Sequence, residues 1–477
     1  MSVLQPFDWD TYLFTARQQE AQKARLEAYK RNWNYYHGVQ KRPLSVGTQQ
    51  PDDNVVINFA RLVVDKGVSF LFGKELEFEL QEGEVTPEEE YLEKVWQRNR
   101  KMTWLTKFGT SGGIYGDPML KIVPDGMGPG IARLVILEPE IVTLLSDPED
   151  IERIVRYRLE WVSEDQDGKA LHYRQDIQLV DDNGGVERWD VVNRVAKGNG
   201  IYVPDPNRKD ERWPYAWPPI LHTQNLPCPG TIYGQADIDE VALQDAINYL
   251  ASKMQKIIRY HAHPKTIGRG FKATDMQHGE DDLTILPSKD SDISNLEMRS
   301  DLSGSMQFMD RLISWLLATA RIPRLDPAVV SVGALSGFAL KVLYGDLLEK
   351  TEVKRRTYGD LLVELNRRLC DLGGFGAEHY VTIHWQDPLP EDEQAEMTRD
   401  QFELDNELAS HETVATRRGL DYETEKERIA AEREEREAQG GNIGAAVIQQ
   451  FMNGQPQRAR QEPDNDDDTP PNAQPKR

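Results

Sequence analysis

Two Gly-Lys pairs stand where a phosphate-binding loop could begin. Gly73-Lys74 is followed by Glu75, and Gly168-Lys169 by Ala170, so neither offers the hydroxyl that such a loop places on magnesium. A cluster of glycines at 109, 112, 113 and 116 also lacks the lysine, and reads as tight turns and close packing. In Gly333-Ala-Leu-Ser336-Gly337 the serine sits out of register for a nucleophile elbow. His261-Ala-His263 could open a metal site, but no HExxH, CxxC or other ligand cluster accompanies it, and surface histidines at a helix end are the better reading. Asp237 and Asp239 flank one residue at an expected helix start, where acids complement the macrodipole; a metal pair is the poorer reading. No nucleophile, base and oxyanion donors assemble, so the chain is expected to be no enzyme and to hold no cofactor or metal.

The elements around these residues divide into blocks. Thr15–His37 has helical spacing with Leu26, Tyr29, Trp33 and Tyr36 on its apolar face, and Gly38 ends it. Helices are expected at Asn58–Phe72, Glu88–Arg100 and Lys101–Ser111. The character then changes. Met119–Val123, Ala132–Leu137, Ile151–Trp161, Leu171–Val180 and Val186–Val195 alternate apolar and polar residues, and Asp-Gly and Asn-Gly-Gly turns separate them. This predicts an antiparallel sheet beside helices, an α+β fold. Residues 199–229, rich in proline and tryptophan, read as a loop or linker.

Beyond it lie three long helical stretches. Gln235–His261 carries Leu243, Ile247, Leu250, Met254 and Ile257 as a stripe, and its length of about 40 Å is large for a globular domain. Lys265–Ser303 has strand and turn character and reads as a small subdomain. Ser305–Ile322 is a second apolar helix, 323–335 a loop with Pro323 and Gly333, and Ser336–Leu369 a further long helix in which Gly345 and Gly359 permit bending. Tyr380–Gln386 reads as a strand. Glu391–Leu408, Ser410–Arg418 and Tyr422–Ala438 read as acidic helices, and the end of the chain as disordered.

Totals bound the function. At 477 residues the chain can hold two to four domain-sized units. A net charge of −23 argues against tight nucleic-acid binding over a broad surface, while leaving room for a local patch. Two cysteines, Cys228 and Cys370, exclude a disulfide framework and fit a reducing compartment. No apolar run is long enough to span a bilayer and no secretory signal is apparent, so a soluble, cytoplasmically made protein without membrane association is expected.

Several phrases occur in a telling order. Tyr35-Tyr36-His37-Gly38 is followed by Asn58-Phe-Ala-Arg-Leu-Val-Val-Asp-Lys66 and Phe72-Gly73. Ser336-Gly-Phe-Ala-Leu-Lys-Val-Leu-Tyr344 opens the long helix, Asp387-Pro-Leu-Pro-Glu-Asp-Glu393 leads into the acidic helices, and Arg417-Arg-Gly-Leu420 follows. Across about residues 30–440 this set resembles the portal (head–tail connector) proteins of tailed bacteriophages, of the long-tailed type.

The resemblance implies a portal fold. It has a mixed α/β wing (1–228, with 336–390 adding a long channel helix and a wing strand), a two-helix stem (229–263 and 305–322), a small α/β clip (264–304), a tunnel loop (323–335), an α-helical crown (391–440) and a disordered tail (441–477). It implies a ring, usually of twelve subunits, at one capsid vertex of the virion, assembled in the host bacterial cytoplasm. Double-stranded DNA would pass through without sequence specificity during packaging and ejection. The terminase large subunit, a head–tail adaptor, and the major capsid and scaffolding proteins would be its partners. Arg324, Leu325, Asp326, Val329, Val330, Ser331 and Val332 would face DNA from the tunnel loop. Lys253, Lys256, Arg259, Lys265, Arg269 and Lys272 would contact DNA or partners, or serve as solvated or subunit-pairing charges. Alternatives are another capsid or scaffolding assembly protein, or a metal-dependent nuclease.

Overall fold

The structure is a computed structural model. It describes residues 16–45, 52–80, 86–124, 131–164, 168–182, 186–197, 201–262, 265–269, 292–296, 302–324, 337–389 and 393–432. The chain divides into two compact units, residues 1–390 and 391–477.

In the first unit, α1 (Ala16–Tyr36), α2 (Phe59–Phe72), α3 (Pro87–Asn99) and α4 (Lys101–Tyr115) precede the sheets. Local chemistry fixes their starts. The Asn58 side chain accepts from the Arg61 amide at the head of α2, and Thr86 with Glu89 forms a capping box on α3, with Pro87 in its first turn. The glycine cluster divides between the two expected uses: α4 runs straight through Gly109, Gly112 and Gly113, and only Gly116, at φ 87°, makes a turn. Close packing is the reason. A Cβ on Gly109 would stand 2.9 Å from the Phe72 ring, and one on Gly113 2.8 Å from Val64.

Strands β2 (Met119–Val123) and β3 (Arg133–Leu137) form an antiparallel three-stranded sheet with β10 (Ile220–His222) in the order β10-β2-β3. A six-stranded antiparallel sheet runs β4 (Val142–Ser146), β5 (Ile154–Glu164), β6 (Ala170–Asp182), β7 (Val186–Lys197), β8 (Val203–Pro204), with β9 (Glu211–Arg212) also on β7. The hairpin strands thus form as their alternation predicts, and the antiparallel α+β class holds. Five strands escaped the sequence reading: β4; β8, β9 and β10, which lie in the stretch 199–229 read as a loop or linker and are completed by partners on β7 and β2; and β1 (Leu76–Glu79), whose partner is β13 (Thr382–Trp385) some three hundred residues later.

The main core joins α2, α3 and α4 to the sheets and to α8 (Gly345–Leu372). Trp96, Trp104, Phe108, Phe72 and Tyr358 make a chain of stacked and edge-to-face rings through it. The expected single helix from Ser336 is in fact two, α7 (Gly337–Leu343) and α8, parted at Tyr344. Tyr344 lies on Phe70 in a small cluster of its own with Leu347 and Leu389.

The second unit contains α9 (Glu393–Asp405), α10 (His411–Arg417), capped by Ser410, and helical residues 422–432. Buried Asp400 takes both Arg417 (3.0 Å) and Arg418 (2.6 Å).

Candidate functional site

The feature that sets this fold apart is a helix pair, α5 (Gln244–Ala262) and α6 (Ser303–Thr319). They run out to and back from an antiparallel strand pair, β11 (Lys265–Arg269) and β12 (Asp292–Leu296). The α5 helix starts nine residues later than the expected Gln235, close to where its apolar stripe begins at Leu243. Residues 229–236 are loop, and a 3-10 turn, Asp237–Glu240, comes first. Ile247, Leu312, Leu316 and Leu317 seat the pair on Val63, Val64, Val68 and Ile114 of α2 and α4.

A polar seam holds the other side of α5. Gln244, Asn248 and Ser252 recur every four residues and are buried. They accept from the backbone amides of Phe59 (3.0 Å), Ile57 (3.0 Å) and Val55 (2.9 Å) respectively. Gln244 also donates to the Ile57 carbonyl (2.6 Å), Asn248 donates to Gln40 (2.6 Å), and Arg259 pairs with buried Asp53 (2.6 Å). The extended segment 52–58 therefore lies antiparallel on α5, with side chains in place of a neighbouring strand. The pitches agree: two extended residues rise about 6.6 Å, and four helical residues about 6.0 Å.

The root of the pair holds a buried ion group. Asp237 is fully buried and meets Lys354 (2.6 Å) and Lys350 (3.0 Å), both from α8. Burial pushes its carboxyl up, but the two ammonium groups prevail and hold it below the ordinary range. Asn225 joins it to Tyr358, whose hydroxyl donates to the amide oxygen (3.0 Å). Neither the macrodipole nor a metal explains this aspartate. Asp239 instead caps the turn through the Ala236 amide and pairs with Arg31 (3.2 Å).

A second buried acid, Asp117, ties three elements together. It accepts from the Tyr29 hydroxyl of α1 and from the Gly234 amide (2.6 Å), just after the α4 terminus. Burial raises its carboxyl to about 7, against the lowering pull of these bonds and of Arg25.

The surfaces of the pair are unlike its anchorage. On α6, Phe308 and Trp315 stand exposed; on α5, Tyr249 does, with Lys253 over its ring at 5.3 Å. Helix α7 buries no residue and carries exposed Phe338 and Val342.

The expected contact residues scatter over this frame. Lys253 and Lys256 lie half-buried on α5, while Arg259 is engaged by Asp53. Lys265 and Arg269 lie on β11, opposite Leu296 and Asp292. Arg324 folds back on α6, bonding Ser314 (2.9 Å) and Asp310 (3.2 Å). Lys272, Leu325, Asp326, Val329, Val330, Ser331 and Val332 lie outside the described residues, as do most of 264–304 and of the 323–335 loop. Among the described residues no cluster of acids, histidines or cysteines could hold a metal, and no helix is long and apolar enough to cross a membrane. Sequence reasoning missed Asp117, the pairing of Asp237 and the α5 seam. The i, i+4, i+8 run of Gln244, Asn248 and Ser252 was the one signal available for the last.

The α+β body seats a helix pair on buried polar anchors and leaves Phe308, Trp315 and Tyr249 outward. The family comparison gives the class of protein. The family model described as "Phage portal protein, SPP1 Gp6-like" matches residues 16–439, and the chain belongs to that family, whose members are structural. Among solved structures, the chain is similar to one described as "Virion of native gene transfer agent (GTA) particle" (13% identity, TM-score 0.41). It is also similar to one described as "Neck of empty GTA particle computed with C6 symmetry" (13%, 0.43). Each alignment covers 76% of this chain and 89% of the other. No curated protein matches. Membership of the family supports a portal or connector role for the chain.

Proposed function

We propose that copies of this chain close into a ring, twelve in number, at one vertex of a phage capsid, and that the ring is the channel for DNA packaging and ejection. The observation that carries this reading is the family match over residues 16–439. The terminase large subunit docks on the ring during packaging, and a head–tail adaptor afterwards. The major capsid and scaffolding proteins hold it in the shell, assembly taking place in the host bacterial cytoplasm.

Residues 1–228 with 370–390 serve as the wing, α5 and α6 as the stem, the β11–β12 region as the clip, 323–335 as the tunnel loop, 336–369 as the long channel helix and 391–440 as the crown. The acidic balance of −23 suits a conduit, because a negative wall repels phosphates and leaves the duplex free to slide. Packaging energy in this reading comes from the terminase and not from this chain.

Electron microscopy of the purified protein tests the proposal. Closed rings with a central hole support it, whereas sheets or shells favour a capsid or scaffolding role. Magnesium-dependent cleavage of DNA would favour a nuclease. Replacing residues 265–303 with a short linker should keep rings but abolish packaging; normal packaging by that variant overturns the clip assignment.

A further inference from the structure

The second unit is short of a core. Among its described residues Val414 is the one buried hydrophobic side chain, beside Asp400 with Arg417 and Arg418. An open cleft of about 540 Å³ lies between the end of α9, the start of α10 and Tyr422. Leu404, Leu408, Ala409 and Tyr422 give it an apolar lining, and Leu408 is 70% exposed. Glu407 and Glu412 stand on the same cleft, and neither is paired with a cation among the described residues. The basic groups nearby are engaged elsewhere: Arg417 by Asp400 and Glu403, Arg428 by Glu425, and Lys426, over the Tyr422 ring at 5.4 Å, by Glu423. The cleft thus combines uncovered apolar surface with two unpaired carboxylates.

Residues 441–460, outside the described residues, carry the matching chemistry. Ile443, Val447, Ile448, Phe451 and Met452 recur at i, i+4, i+5, i+8 and i+9, the spacing of one helix face, and Arg458 and Arg460 are the only charges in the stretch. Residues 461–477, by contrast, are rich in Asp and Pro and hold no large apolar side chain. We propose that residues 443–452 dock in the cleft of their own chain and that Arg458 and Arg460 reach Glu407 and Glu412. The chain is long enough. Helical residues 422–432 span about 15 Å, residues 433–442 can cover up to about 33 Å, and Gly440-Gly441 permits a reversal. Such a tether holds the segment at a roughly millimolar effective concentration, which favours it over a second copy in dilute solution. Charge favours it too, since this stretch is purely basic in a chain of net charge −23, and the cleft is acidic.

Hydrogen exchange of the full chain, read by mass spectrometry on dilute, unassembled protein, tests the proposal. Amides of 443–452 should exchange about tenfold or more slower than those of 462–477. Val447→Asp with Phe451→Asp alters only the segment, and should remove that protection and quicken exchange across 404–412. Glu407→Lys with Glu412→Lys should weaken the protection several-fold, and adding Arg458→Glu with Arg460→Glu to the same chain should restore it. The Val447/Phe451 chain carries the test alone if the Glu407/Glu412 chain does not fold. Exchange of 443–452 as fast as that of 462–477 in the wild type, protection that survives the Val447/Phe451 change, or a charge reversal that the added pair fails to rescue overturns the proposal. Protection present in assembled protein and missing from unassembled protein gives the cleft to another copy and overturns it as well.

Discussion

Asp117→Asn is the substitution whose effect can be worked out most fully. The carboxyl sits buried between α1 and the loop that leads to α5, and faces Tyr29, Arg25, the Gly234 amide and Asp239. Its folded value is about 7, against 3.8 when exposed. The folded chain therefore binds the proton more tightly than the unfolded chain. The resulting stabilisation is complete below about pH 4, declines as pH rises, and is lost above about pH 7. About three pH units at 1.4 kcal/mol each give about 4 kcal/mol across that window. Asparagine keeps an acceptor for the Gly234 amide but cannot titrate. The measurement is urea unfolding of both proteins at fixed concentration from pH 5 to pH 8, since the difference cancels every other titrating group. At pH 8 the variant should be at least as stable as the wild type. By pH 5 the balance should have moved toward the wild type by about 2–3 kcal/mol. A gap that stays flat across this range, or that moves toward the wild type as pH rises, refutes the reasoning.

Three further outcomes follow from the anchorage of the α5–α6 pair. Asn248→Ala removes the acceptor of the Ile57 amide and a donor to Gln40, and should cost about 2–3 kcal/mol, with faster hydrogen exchange at Ile57 as the local readout. Asp237→Ala strips Lys350 and Lys354 of their shared carboxylate and should cost about 3–5 kcal/mol; replacing all three by Leu, Met and Met should recover most of it, by denaturant midpoint. Gly113→Ala gains about 1 kcal/mol of helix propensity but drives a methyl against Val64 and Asp237, so a net loss of about 1–2 kcal/mol is expected in thermal unfolding.

Much of the fold was legible because its signals are local. Strands β5, β6 and β7 announce themselves by alternation and turn residues, and the helices by apolar spacing with caps such as Asn58 and Ser410. What escaped depends on distant partners. Strand β1 is four residues long and acquires its meaning from β13. The glycines of α4 read as tight turns and close packing together, and only Phe72 and Val64 set against Gly109 and Gly113 show that packing is what these two serve. Nothing near Asp237 in sequence foretells two lysines from α8, more than a hundred residues on. The seam on α5 looks like ordinary helix polarity until 52–58 lies on it.

That seam has a mechanical corollary. Its hydrogen bonds engage backbone groups, which look the same every second residue, so they alone would accept segment 52–58 in any register shifted by one step of about 6–7 Å. Intermediate positions leave the amides of Val55, Ile57 and Phe59 without acceptors. The arrangement is a rack with discrete teeth, and the pair Asp53–Arg259 is the pawl that marks one tooth as home.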